Sequence, residues 1–153
     1  MESEAYRQII DGASDAIVVA DVAGTIRSWN AGAAAMFGHG AAKAIGQSLD
    51  LIIPEAQRAR HWDGYRRVMA TGTTQYAKRL LAVPALHRDG RRLSIEFHVT
   101  LLRSPDGVPN GIAAIIRDVT ERWQEDRALR RRLQELEGEL DRLRRAGAPS
   151  TTP

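Results

Sequence analysis

The 153-residue chain has no cysteine, which excludes disulfides, thiolate metal sites, a cysteine nucleophile and any cysteinyl–flavin photochemistry. It also lacks an apolar run approaching the roughly 18–20 residues that span a bilayer. The opening MESEAYRQII has neither a basic n-region nor a continuous apolar h-region. We therefore expect a cytoplasmic chain without a membrane partner. Large net charge is missing as well, since the formal value is only +3. Much of the arginine lies between Arg117 and Arg145, interleaved with Glu121, Glu125, Asp126, Glu135, Glu137, Glu139 and Asp141. That mixture reads as a solvated helix face and not as a nucleic-acid surface. Nothing resembles a catalytic set. GHGAAKAIG lacks the lysine–serine or lysine–threonine pair of a phosphate loop, and His39, His87 and His98 fall in different elements with no zinc-ligand spacing. No enzymatic activity is expected.

What is present, 43% hydrophobic and 27% charged residues, suits one domain of ordinary size with a short appendage. In SEAYRQIIDGAS, Tyr6, Ile9, Ile10 and Ala13 recur at helical spacing and put an apolar stripe on an N-terminal helix. DAIVVADVAGTIRSWN reads as a hairpin turning near Gly24, with Trp29 packing where it closes. The glycine-interrupted stretch from Ala31 to Pro54 suits short helices and turns. Pro54 opens a longer helix that Gly72 stops, which places His61 in its middle. TQYAKRLLAVPAL, RRLSIEFHVTLLR and GIAAIIRDV then alternate with period two and predict three antiparallel strands. Glu96 and His98 take the face opposite Ile95, Phe97 and Val99. Beyond Glu121, leucines 129, 133, 136, 140 and 143 follow a 4-3-4-3 spacing, the mark of a short coiled coil. The coil contains Gly138 and needs a partner helix for stability; a single helix folded back on the domain is the other reading. The expected division is a helix over 1–14, a domain over 15–120, a coil over 121–145 and a disordered tail over 146–153.

DAIVVADVAGTIRSWNAGAAAMFG, IGQSLDLIIPE, HRDGRRLSIEFHVT and GIAAIIRDVTER together resemble a PAS domain over about residues 5 to 122. The resemblance implies an α+β fold: a five-stranded antiparallel sheet with flanking short helices around a ligand-sized cavity, an N-terminal helix and a C-terminal coiled-coil helix. It also implies that Asp118 and Thr120 tie the last strand to an output helix, although both are ordinary N-cap residues too. Trp123, just beyond them, would wedge that helix. PAS domains bind haem, flavins, small acids or nothing, so the fold leaves the ligand open.

His61, Gly64, Tyr65 and Val68 recur at i, i+3, i+4 and i+7 on the long helix, and a glycine there would let a flat ring approach the backbone. The stretch resembles the haem-PAS oxygen sensors of the FixL type. In those sensors the iron-binding histidine lies seven residues after the opening proline and eleven before the closing glycine, as His61 does between Pro54 and Gly72. The resemblance implies haem b ligated by His61, with Arg67 at the propionates and Phe97 and Val99 on the distal wall. It departs at Leu81, where those sensors carry an arginine that hydrogen-bonds oxygen. A leucine forfeits a charge-assisted bond of about 1.5–3 kcal/mol, which favours CO or NO over oxygen; Arg79, two residues earlier on the same strand face, substitutes only by reaching inward, and a strand-edge arginine pointing to water is the favoured reading. Two readings of His61 stay open. In one it holds haem, and the chain senses a diatomic gas or redox state. In the other it faces solvent or pairs with Asp63, and the cavity is empty or holds an organic ligand. Both give a homodimeric relay acting on a partner kinase or regulator.

Overall fold

A computed structural model describes residues 2–74 and 80–147. Arg79 and the early part of the expected third strand lie outside the described residues, as does the tail beyond Gly147. The chain divides into two compact units, Met1–Val119 and Thr120–Pro153.

The first unit begins with helix α1 (Glu2–Gly12) and the hairpin β1 (Ala16–Asp21) and β2 (Ile26–Trp29). Asp21 fixes the turn: its Oδ1 accepts the amides of Ala23 and Thr25, each at 3.0 Å, and its Oδ2 accepts Arg27 Nε at 2.7 Å. Those donors hold its carboxyl below the ordinary carboxylate value, led by the Thr25 amide. Short helices α2 (Ala31–Phe37) and α3 (Ala41–Ala44) follow, then a 3₁₀ turn at Leu49–Leu51. Helix α4 (Glu55–Thr71) starts from Pro54 and ends at a left-handed Gly72, the stop expected of that pair. Strands β3 (Leu81–Leu86), β4 (Arg92–Arg103) and β5 (Pro109–Asp118) complete an antiparallel sheet in the order β2-β1-β5-β4-β3. Pro84 is tolerated because β3 is an edge strand.

Period-two alternation sorts the sheet. Ala16, Val18 and Ala20 of β1 oppose Ile116, Ala114 and Ile112 of β5, and this face carries the core with Phe37, Ile26 and Trp29. The other face leaves Ile115 half exposed, among Asp15, Glu96, His98 and Arg117. Glu96 and His98 thus lie opposite the apolar residues of β4, as the alternation predicts. On α1, Tyr6, Ile9 and Ile10 are exposed.

The second unit holds helix α5 (Thr120–Ala146), which buries none of its residues. Its five heptad-spaced leucines are all exposed, and the Arg127 guanidinium lies 4.7 Å from the Trp123 ring centroid.

Candidate functional site

Helix α4 carries no strong apolar stripe, so its rotation is set by what holds it. Trp62 Nε1 donates to Asp50 Oδ1 at 2.8 Å, and its indole lies against Gly24, where a Cβ would collide with the ring. The positive φ of Gly24 suits the same turn. The Tyr65 hydroxyl donates to the Asp21 carbonyl, and burial together with the Asp21 charge raises the phenol's pKa above its ordinary value. Arg58 Nε donates to the Ile53 carbonyl at 3.1 Å. Trp62, Tyr65 and Met69 therefore form the inward stripe, and Phe97 packs against the same core.

His61 sits on the flank of that stripe. Its ring is 4.8 Å from Trp62 and 5.7 Å from Tyr65, centroid to centroid. Its Nδ1 is buried and has no hydrogen-bond partner; one turn earlier the same is true of Gln57 Oε1. Burial lowers the imidazole's pKa below 6.5, against a smaller opposite pull from Asp50. Asp63 does not take His61, because its carboxylate pairs with Arg66.

The shared face expected for His61, Gly64, Tyr65 and Val68 is rotated. Tyr65 is buried and Val68 half-buried, whereas Gly64 is exposed with open space where a Cβ would stand. The reason is angular. At 100° per residue Gly64 falls about 100° from Tyr65, outside a stripe centred on Trp62, Tyr65 and Met69. Arg67 is exposed on the outer side. On the sheet, Leu81 is the register partner of Phe97, and Val99 follows two residues on; all three are half-buried.

An imidazole that holds a metal must be neutral and must offer a free nitrogen. His61 satisfies both conditions, and Leu81, Phe97 and Val99 are half-buried apolar residues of the sheet, so the chemistry of these residues suits haem. Arg67 would have to meet propionates from the solvent side. Among the described residues no group of three or more histidines, aspartates or glutamates could hold a metal ion.

At the exit, Val119 is buried and its amide donates to the Ser94 carbonyl at 2.8 Å, which pins the end of β5. Asp118 is the last residue of β5 and Thr120 the first of α5.

Sequence reasoning missed four of the residues that shape this end of the molecule: Asp21, Asp50, Gln57 and Trp62 as an anchor. Asp50 and Asp21 act through contacts 12 and 44 residues away in the chain, which no local pattern signals.

The model of the PAS fold family matches residues 10–124. The chain belongs to the PAS fold family and is a PAS sensory domain. An uncharacterised protein of Azorhizobium caulinodans is 38% identical over 128 residues, covering 83% of this chain and 17% of that protein. The Sensor protein FixL of Bradyrhizobium diazoefficiens is 30% identical over 142 residues, covering 93% of this chain and 27% of that protein. The chain thus spans about a quarter or less of each relative. The crystal structure of a PAS domain from Colwellia psychrerythraea superposes with a TM-score of 0.70 at 24% identity, covering 79% of this chain and 99% of that one.

Proposed function

We propose that this chain is the input module of a cytoplasmic signalling protein. In this reading it binds haem b through His61, responds to a diatomic gas or a change of redox state, and passes the response to a dimeric coiled coil in α5. The observation that carries the reading is the buried, neutral, unpartnered imidazole nitrogen of His61 on the helix flanking the core. The likeness to the sensor FixL supports it.

Haem, when bound, supplies an iron that takes a gas ligand or an electron. The chain supplies the rest. His61 donates the nitrogen, Leu81, Phe97 and Val99 keep water out, and Leu81 offers no hydrogen-bond donor, which favours CO and NO over oxygen. The exposed leucines of α5 need cover, and a second copy provides it by parallel pairing. Asp118, Thr120 and Trp123 stand where strain in β5 would reach that coil, a two-state element acting on a kinase or another regulator. The module itself performs no catalysis.

A second reading is a haem-free dimerisation module, favoured by one observation: Trp62, Tyr65, Met69 and Phe97 already pack into the core. Absorption spectra of the protein offered haem, beside His61→Ala checked for folding by circular dichroism, decide between the two. A Soret band in the parent that is lost in the variant supports haem ligation. No band, or one indifferent to His61, overturns it and leaves the second reading.

A further inference from the structure

Away from α4, an open cavity of about 590 Å³ is lined by His39, Lys43, Gln47, Leu51 and Arg88. Its walls come from two segments that are firmly docked. The Trp29 indole donates to the His39 carbonyl at 2.8 Å, and the Arg88 amide donates to the Phe37 carbonyl at 2.9 Å. Gly38 turns the chain at φ +77°, and a Cβ there would meet the His87 ring. The floor is Leu51.

The charge of this cavity is one-sided. None of its lining residues is acidic, and among the described residues neither Lys43 nor Arg88 has a carboxylate partner. Asp89, next to Arg88 in the chain, is engaged with His87 Nδ1 at 2.9 Å and with Arg91 at 3.7 Å, and Asp50, next to Leu51, accepts from Trp62 Nε1 at 2.8 Å. Cations so placed, on a docked frame beside an apolar floor, raise the local concentration of an anion.

We propose that this cavity binds a small organic anion: one carboxylate or phosphate group that meets Lys43 and Arg88, carried on an apolar body that covers Leu51. The site is separate from the His61 helix and does not depend on haem. His39 couples it to pH. Burial comes first, followed by the charges of Arg88, His87 and Lys43, in holding its imidazole below the ordinary value. A bound anion offsets those charges and raises the His39 pKa from its lowered value, so binding strengthens as pH falls through the range in which His39 takes its proton in the complex.

The test is a chemical-shift titration of the labelled protein with benzoate, phenyl phosphate and inorganic phosphate as probes. Saturable shifts confined to residues 38–51 and 87–91, Leu51 among them, are expected with benzoate or phenyl phosphate, and the stronger of the two identifies the oxyanion. Lys43→Gln and Arg88→Gln, both at exposed positions, should each weaken binding about tenfold, the effect of one lost charge-assisted bond. Benzoate, which stays ionised across the range, should bind more tightly at the lower pH. Four results overturn the proposal: no saturation with either organic probe, equal binding by inorganic phosphate, indifference to both variants, or benzoate affinity that is flat in pH.

Discussion

At the β1–β2–α2 end of the sheet, Asn30 is a buried polar side chain, 3% exposed, with every group engaged. Its Oδ1 accepts the amides of Ile17 at 2.8 Å and Ala33 at 2.9 Å, and its Nδ2 donates to the carbonyls of Ile10 at 2.9 Å and Asp15 at 3.1 Å. One side chain thereby caps α2 and ties it to α1 and β1. Across the core, α4 turns Gln57 Oε1 and His61 Nδ1 inward with no partner for either. A buried polar atom without a partner costs about 1–3 kcal/mol, and such atoms in a native fold call for an explanation. The contrast separates a frame, where polar groups lock elements together, from a cover that retains unspent polar capacity where a ligand would contact it.

Removing the frame's hub should have the largest effect. Asn30→Ala strips a helix cap and leaves several backbone groups unpaired, so we expect a loss of about 3 kcal/mol or more. Urea unfolding measures it, and a loss below about 1 kcal/mol would erase the distinction between the two ends.

The cover should respond with the opposite sign. Gln57→Leu and His61→Leu each delete an unpaired polar atom and keep the volume, so neutral pH should show no loss and a gain of up to about 1–2 kcal/mol. His61 adds a pH signature. Its folded pKa lies below the unfolded value of 6.5, so the unfolded chain binds the proton first as pH falls. Stability is therefore intact above 6.5 and declines below it until the folded pKa is reached. His39 is shifted the same way, so the difference between parent and His61→Leu isolates His61. An unchanged slope in the variant would place the His61 ring in water. Tyr65→Phe loses the bond to Asp21 and should cost about 1 kcal/mol, read from the same unfolding curves.

Most of the frame was legible in the chain. DVAG marks the hairpin, Pro54 and Gly72 bracket α4, and alternation gives the strands because each has one dry face. Asn30 as a hub was not legible, since its partners come from residues 10, 15, 17 and 33, although an asparagine directly ahead of AGAAAMF is an ordinary cap signal. The rotation of α4 was also out of reach. Its sequence offers arginine and alanine on most sides, and the choice of face falls to the bonds from Trp62 to Asp50 and from Tyr65 to Asp21.

That rotation sets the smallest expected effect. Gly64 lies in the interior of an exposed helix surface with nothing near its missing Cβ, so Gly64→Ala should stabilise the haem-free protein by about 0.5–1 kcal/mol through helix propensity alone. The resemblance to haem sensors implies instead that a flat ring approaches the backbone here, where a methyl group would obstruct it. The two expectations diverge once haem is offered. With α4 held as it is, the alanine variant gains stability and takes up haem as the parent does. A variant that is stabilised when haem-free yet takes up haem poorly would mean that α4 turns Gly64 inward on loading. The bonds from Trp62 to Asp50 and from Tyr65 to Asp21 would then have to break, and α4 would be a moving part of the sensor.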